Sequence, residues 1–308
     1  MHTMRTLLII GAGDVARRAL PSLLAHWRVL ALCRHPAAAE SWRALGARPI
    51  LGDLDRGDSL ARLAGIADAV LLCAPPPPSG AEDPRMRKLL YALAKGDSIP
   101  QRFVYISTSG VYGNANGMLI NETAALLPQS ERARRRVDAE RQLRRFVGRH
   151  GGALTILRAP GIYADDRLPL ARFANASPLI VDAEDSYSNH IHADDLASLC
   201  AAALRRRQGI RVYNACDDLP LPVSRWYRQL GATLQLPSLP ELPRAEVQAR
   251  VTPQQWSFLA ESRRLDNLRI KRELGVRLRW PSVLDYLAAL AQDEPRKAAI
   301  LASQAKIR

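Results

Sequence analysis

Behind the short apolar run Thr6–Ile10 the chain reads Gly11-Ala12-Gly13-Asp14-Val15-Ala16. A strand that runs into a glycine turn and leaves it as a helix has few folds open to it. Gly11 permits the tight turn, Gly13 lets a ligand come close to the backbone, and Ala16 lets the helix lie close on the sheet. The start of that helix also offers free N–H groups and the positive end of its dipole, which together suit phosphate. The spacing therefore predicts a strand over Thr6–Ile10 and a helix over 15–25. The backbone of Gly11, Gly13, Asp14 and Val15 would hold a dinucleotide pyrophosphate.

Further strands follow at Arg28–Cys33, Arg48–Leu51, 69–73, 102–107 and 154–159. Helical stretches at 37–45, 60–63, 84–95 and 125–146 separate them. Prolines 75–78 stop the fourth strand because they supply no ladder donor. This alternation predicts an α/β fold, a Rossmann-type doubly wound parallel sheet with helices on both faces. Residues 1–164 are expected to form the dinucleotide-binding domain, with 193–216 returning to it. Residues 165–192 and 217–308 are expected to form a smaller C-terminal substrate lobe, with a helix over 263–275 closed by Gly275.

The second strand ends in Cys33-Arg34-His35, where an NAD binder often places an acid for the ribose 2′-hydroxyl. A guanidinium suits a 2′-phosphate, so Arg34 points to NADP, with NAD the alternative if Arg34 is one more surface arginine. Asp53 is placed to bond the adenine amine, and Ala74 and Pro75 to line the wall behind the nucleotide.

Lysines and arginines number 44 against 30 acids, a formal charge of +14. Such a surface attracts anions in general. The arginine runs at 132–136 and 205–207 read as solvated helix faces, since no zinc-finger or RNA-recognition signature accompanies them. Cys33, Cys73, Cys200 and Cys216 form no CxxC, so reduced buried thiols are expected and no metal site. The N-terminal apolar run is too short for a signal peptide, and no run is long enough to span a bilayer. Cytoplasm is the expected compartment, with no membrane partner.

Four further stretches carry a resemblance. They are RFVYISTSGVYG at 102–113, Leu157-Arg158-Ala159-Pro160-Gly161-Ile162-Tyr163, Asn189-His190-Ile191-His192-Ala193-Asp194-Asp195-Leu196-Ala197, and Tyr213-Asn214. With the glycine turn, they resemble the extended and atypical short-chain dehydrogenase/reductase superfamily, in its NAD-dependent epimerase/dehydratase-like branch. The likeness runs over nearly the whole chain. It implies an NAD(P)-binding oxidoreductase or epimerase/dehydratase-like enzyme acting on a small polar molecule, not on nucleic acid. A homodimer paired through main-domain helices is the oligomer it implies.

The resemblance places Thr108, with Ser109 beside it, on the substrate's reacting oxygen. The family's proton donor is a tyrosine, followed one turn later by a lysine. Counted back from Glu140, those positions hold Arg132 and Arg136. Arg136 can still hold ribose or phosphate as a permanent cation, but Arg132 cannot donate a proton near neutral pH. No tyrosine lies between Tyr112 and Tyr163. A literal Tyr91-x-x-x-Lys95 precedes the fifth strand and reads as a decoy. Tyr163 then stands as a replacement donor, and Tyr112, Tyr163, His190 and His192 as the substrate-side wall, although the resemblance implies that Tyr112 is usually structural. For His192 and Asp194 a structural role at the start of the next helix stands beside that one.

Two functions follow. One is an enzyme with a non-standard proton donor, using Thr108, Ser109, Arg136 and Tyr163. The other is a non-catalytic NADP-binding sensor or scaffold. A third reading, an acidic-partner or nucleic-acid binder, has the arginine-rich helices but no motif behind it.

Overall fold

The computed structural model describes residues 4–305. Residues 1–3, part of the N-terminal stretch weighed above, lie outside them. β1 (Thr6–Ile10) is buried at every residue, as a strand covered on both faces must be. Beyond it come α1 (Asp14–Leu24), β2 (Arg28–Cys33), α2 (Pro36–Ala44), β3 (Arg48–Leu51), β4 (Ala69–Leu72), α3 (Pro84–Leu93) and β5 (Arg102–Thr108). The main layer is completed by α4 (Glu131–His150), β6 (Ala153–Ala159), α5 (Ala193–Ala203) and β7 (Gly209–Asn214).

The seven strands lie in the order β7-β6-β5-β4-β1-β2-β3, all parallel. Side-chain alternation divides β1 between two cores. Leu7 and Ile9 pack with Leu20 of α1, Trp42 of α2 and Leu199 of α5. Leu8 and Ile10 pack with Leu89 of α3 and Leu143 of α4 on the other face. The winding reverses between β1 and β4, and in open α/β sheets that reversal, at the C-terminal strand ends, is where ligands sit. Gly11 stands at this point. The Rossmann-type doubly wound sheet expected from the alternation is the observed fold.

A third apolar cluster gathers Tyr163, Leu221, Trp226, Leu230, Tyr286 and Leu287 beyond those strand ends. Small strand pairs tie this region together, among them Gly161–Tyr163 with His190–His192. Among the described residues no helix is long and apolar enough to cross a membrane.

Two elements depart from expectation. α4 begins at Glu131 rather than 125, because Pro128 cannot join a helix interior and the Ser130 hydroxyl caps the Ala133 N–H at 3.2 Å. The stretch 263–275 is not one helix. Arg264–Leu265 pairs in parallel with Leu119–Ile120, and only Leu268–Leu274 is helical. Gly275 does close that helix, at φ +61°.

Candidate active site

At the switch point Gly11 has φ +94°, and a Cβ there would stand 2.2 Å from the Ala74 nitrogen. Only glycine fits between β1 and the end of β4. Gly13 is different: a Cβ there would meet nothing within 4 Å. It is the N-cap of α1 and offers no side-chain cap, so the first N–H groups of the helix have no partner within it. The Asp14 carboxylate is held by Arg18 at 2.7 Å and Arg167 at 2.9 Å.

Arg34 is exposed at the end of β2, with its Nε 3.0 Å from the His35 ring. Asp53 is braced by Ser59, whose hydroxyl accepts its N–H at 2.8 Å. The Ala74 N–H donates to Ile10 at 3.0 Å, and the Pro75 carbonyl accepts from Arg85 at 3.3 Å. An uncapped helix start, a glycine with open space before it and an exposed guanidinium fit a dinucleotide carrying phosphates.

Next to this cradle, beyond β5 and β6, lies a cavity of about 700 Å³. Thr108, Ser109 and Arg136 all line it. Thr108 accepts the Gly110 N–H at 3.2 Å, which fixes its rotamer. Arg136 donates to the Ile106 carbonyl at 2.9 Å and to the Tyr105 hydroxyl at 3.1 Å, so α4 is tied to β5. Arg132 lies one turn earlier, its guanidinium 4.1 Å from the centre of the Phe258 ring. Burial pulls its pKa below the usual guanidinium value, yet an arginine remains a cation at neutral pH.

Tyr163 and His190 line the same cavity. Burial, with the nearby Asp217 carboxylate behind it, drives the Tyr163 phenol far up, so it stays protonated and uncharged. Burial also lowers His190 to about 4, which keeps its ring neutral at pH 7.

Two residues expected on the substrate wall are elsewhere. Tyr112 is buried in the main body, its hydroxyl donating to Asn214 at 2.7 Å and its ring under the Arg158 guanidinium. Asn214, at the end of β7 and fully buried, needs that partner. His192 lines a separate cavity of about 440 Å³. Its Nδ1 accepts the Asp194 N–H at 3.2 Å and so caps α5, the structural role weighed for it. Tyr91 is exposed on α3, with the Lys95 ammonium 4.4 Å from its own ring centre.

Sequence reasoning missed the opposite wall, built by Phe258, Glu261 and Arg263. Its one local signal is the capping box Thr252-x-x-Gln255, which opens the short helix carrying Phe258.

The model of the NAD(P)H-binding family matches residues 11–207. The chain is 25% identical over 286 residues to a 4-hydroxy-2-methyl-3-oxo-4-farnesyl-3,4-dihydroquinoline-1-oxide ketoreductase of Stigmatella aurantiaca, covering 87% of this chain and 85% of that one. A solved structure of a functionally unknown conserved protein from Silicibacter pomeroyi is 31% identical, with a TM-score of 0.75 over 94% of this chain and 99% of that one. A dTDP-glucose 4,6-dehydratase double mutant from Streptomyces venezuelae, solved with NAD and DAU bound, shares the fold at 22% identity. Its TM-score is 0.73 over 94% of this chain and 96% of that one.

Proposed function

The chain belongs to the NAD(P)H-binding family, with an NAD(P)-binding oxidoreductase/epimerase-like fold, and from that premise we propose an NADP-dependent enzyme acting on a small polar substrate. The observation that carries this reading is the position of Thr108, Ser109 and Arg136. All three line one cavity at the C-terminal end of β5, beside the strand reversal that carries the glycine turn.

In this reading the backbone of Gly11, Gly13, Asp14 and Val15 holds the pyrophosphate. Arg34 takes the 2′-phosphate and Asp53 the adenine amine, while Ala74 and Pro75 form the wall behind. Arg136, fixed by Ile106, turns its charge toward the nicotinamide ribose. The nucleotide supplies hydride donation or acceptance when bound. Thr108 and Ser109 orient the reacting oxygen. Tyr163 contributes a neutral hydrogen-bond donor from the floor rather than an acid tuned to neutral pH. Residues 165–192 and 217–308 act as the substrate lobe.

The test is nicotinamide absorbance in the presence of NADP or NADPH and a panel of carbonyls, alcohols and nucleotide sugars. Substrate-dependent turnover is expected, with Thr108→Val slowed about 100-fold while nucleotide affinity is kept. Tight nucleotide binding without turnover on any member would favour the sensor reading. The observation behind that second reading is Arg132, a permanent cation at the position where the family keeps its acid.

A further inference from the structure

The cavity beside Thr108 carries more positive charge and more hydrogen-bond donors than its own walls use. Arg132, Arg136, Arg167, Arg172 and Arg263 line it against one carboxylate, Glu261. Glu261 is taken by Arg263, and Arg167 is taken by Asp14. Among the described residues no carboxylate lies within ion-pair distance of Arg132, Arg136 or Arg172.

Behind the wall, Nε of Arg172, Nε of Arg263, the Tyr163 hydroxyl and Nδ1 of His190 are buried without a partner. A buried donor left unpaired forfeits its full solvation. An apolar ligand would leave the Arg132, Arg136 and Arg172 guanidiniums without a counter-charge, and a cation would be repelled. A ligand carrying negatively charged acceptors would pair with them.

The arginines are held on ring faces instead of extending into solvent. Arg132 lies over Phe258 at 4.1 Å and Arg172 over Tyr227 at 4.8 Å. Stacking of this kind occupies the flat face of the guanidinium and leaves its N–H edge free for a two-pronged bond. Arg136 spends one nitrogen on Ile106 and Tyr105. Arg132, a turn away on the same helix face, makes no hydrogen bond among the described residues.

We propose that this cavity selects an anionic substrate, a carboxylate or phosphate ester. Arg132 binds its oxyanion. The inference rests on reading this cavity as the substrate site, and it turns the missing acid into a specificity residue.

The test titrates phenyl phosphate, benzoate and benzyl alcohol into the protein, with and without saturating NADP, by calorimetry. At least one anion is expected to bind about tenfold or more tighter than benzyl alcohol, with NADP present to fill the phosphate cradle. Which anion wins separates phosphate from carboxylate. Arg132→Gln should lose about tenfold or more of that affinity, and Arg132→Lys should recover part of it, with NADP affinity unchanged in both. NADP affinity reports that each variant is folded. Equal binding of benzyl alcohol and the anions would overturn the proposal, even without any variant. So would anion affinity unchanged in Arg132→Gln. Failure of NADP to bind would strike the oxidoreductase reading instead, and the nucleotide-free arm would still decide the anion site.

Discussion

Arg158 sets its guanidinium on both oxygens of the Glu140 carboxylate, at 3.1 and 2.7 Å, with both side chains almost fully buried. Ser107 donates to the same carboxylate at 2.6 Å. One ion pair thus joins β5, α4 and β6 directly behind Thr108. Removing one partner leaves a buried charge uncompensated, at a cost of about 3–5 kcal/mol. Glu140→Ala and Arg158→Ala should each lose that much in denaturant unfolding. The double replacement Glu140→Met with Arg158→Met should lose less than either single change. A single variant within about 1 kcal/mol of the parent would contradict this account.

The two glycines of the turn separate stability from binding. At Gly11 a Cβ collides with the Ala74 backbone and φ is +94°, so Gly11→Ala should destabilise the fold. At Gly13 the added methyl meets no protein atom. Gly13→Ala should stay within about 0.5 kcal/mol of the parent in unfolding. It should still weaken nucleotide binding by about tenfold or more, because the methyl fills the space meant for phosphate. Equal nucleotide affinity in Gly13→Ala would place the phosphate elsewhere.

Arg34 gives a selectivity test. A guanidinium on a phosphate is worth about 1.5–3 kcal/mol, so Arg34→Ala should weaken NADP binding by about tenfold to a hundredfold. NAD binding should stay nearly unchanged. Parallel losses for both nucleotides would assign Arg34 to a general surface role.

His190 sets a pH dependence. Burial holds its ring at about 4 in the fold, against 6.5 for the free side chain. Between those values the unfolded chain binds a proton that the folded chain does not. Stability therefore rises with pH across that window, and falls as pH drops from 6.5 toward 4. In thermal melts His190→Phe should flatten this slope. His192, which burial also depresses, leaves a remainder. An unchanged slope in His190→Phe would show that its proton affinity is ordinary.

The main sheet was legible because most of its strands are short apolar runs with a glycine or proline close by, and because Gly11 and Gly13 stand where β1 becomes α1. The start of α4 was misplaced because residues 125–127 are apolar enough to extend the helical pattern backward past Pro128. The pair Arg264–Leu265 was read as helix because its strand partner, Leu119–Ile120, is far away in sequence. The same holds for the site. Thr108, Ser109 and Arg136 sit in motif-bearing segments and share one cavity. Phe258 and Glu261 reach it only through packing of a segment whose one local signal is a helix-capping box. Tyr112 follows Thr108 closely along the chain, so a wall role stood beside the structural one that the resemblance implies. Its ring is claimed by Arg158 and its hydroxyl by Asn214, partners on β6 and β7 that local sequence does not reveal.

The measurement that bears most directly on the whole reading is calorimetric titration of NADPH, NADP, NADH and NAD into protein stripped of carried-over nucleotide. The account predicts saturable binding at one site per chain, tighter for the phosphorylated pair and weakened by Gly13→Ala. No binding of any of the four would contradict it, and would leave a sheet and glycine turn that hold no dinucleotide.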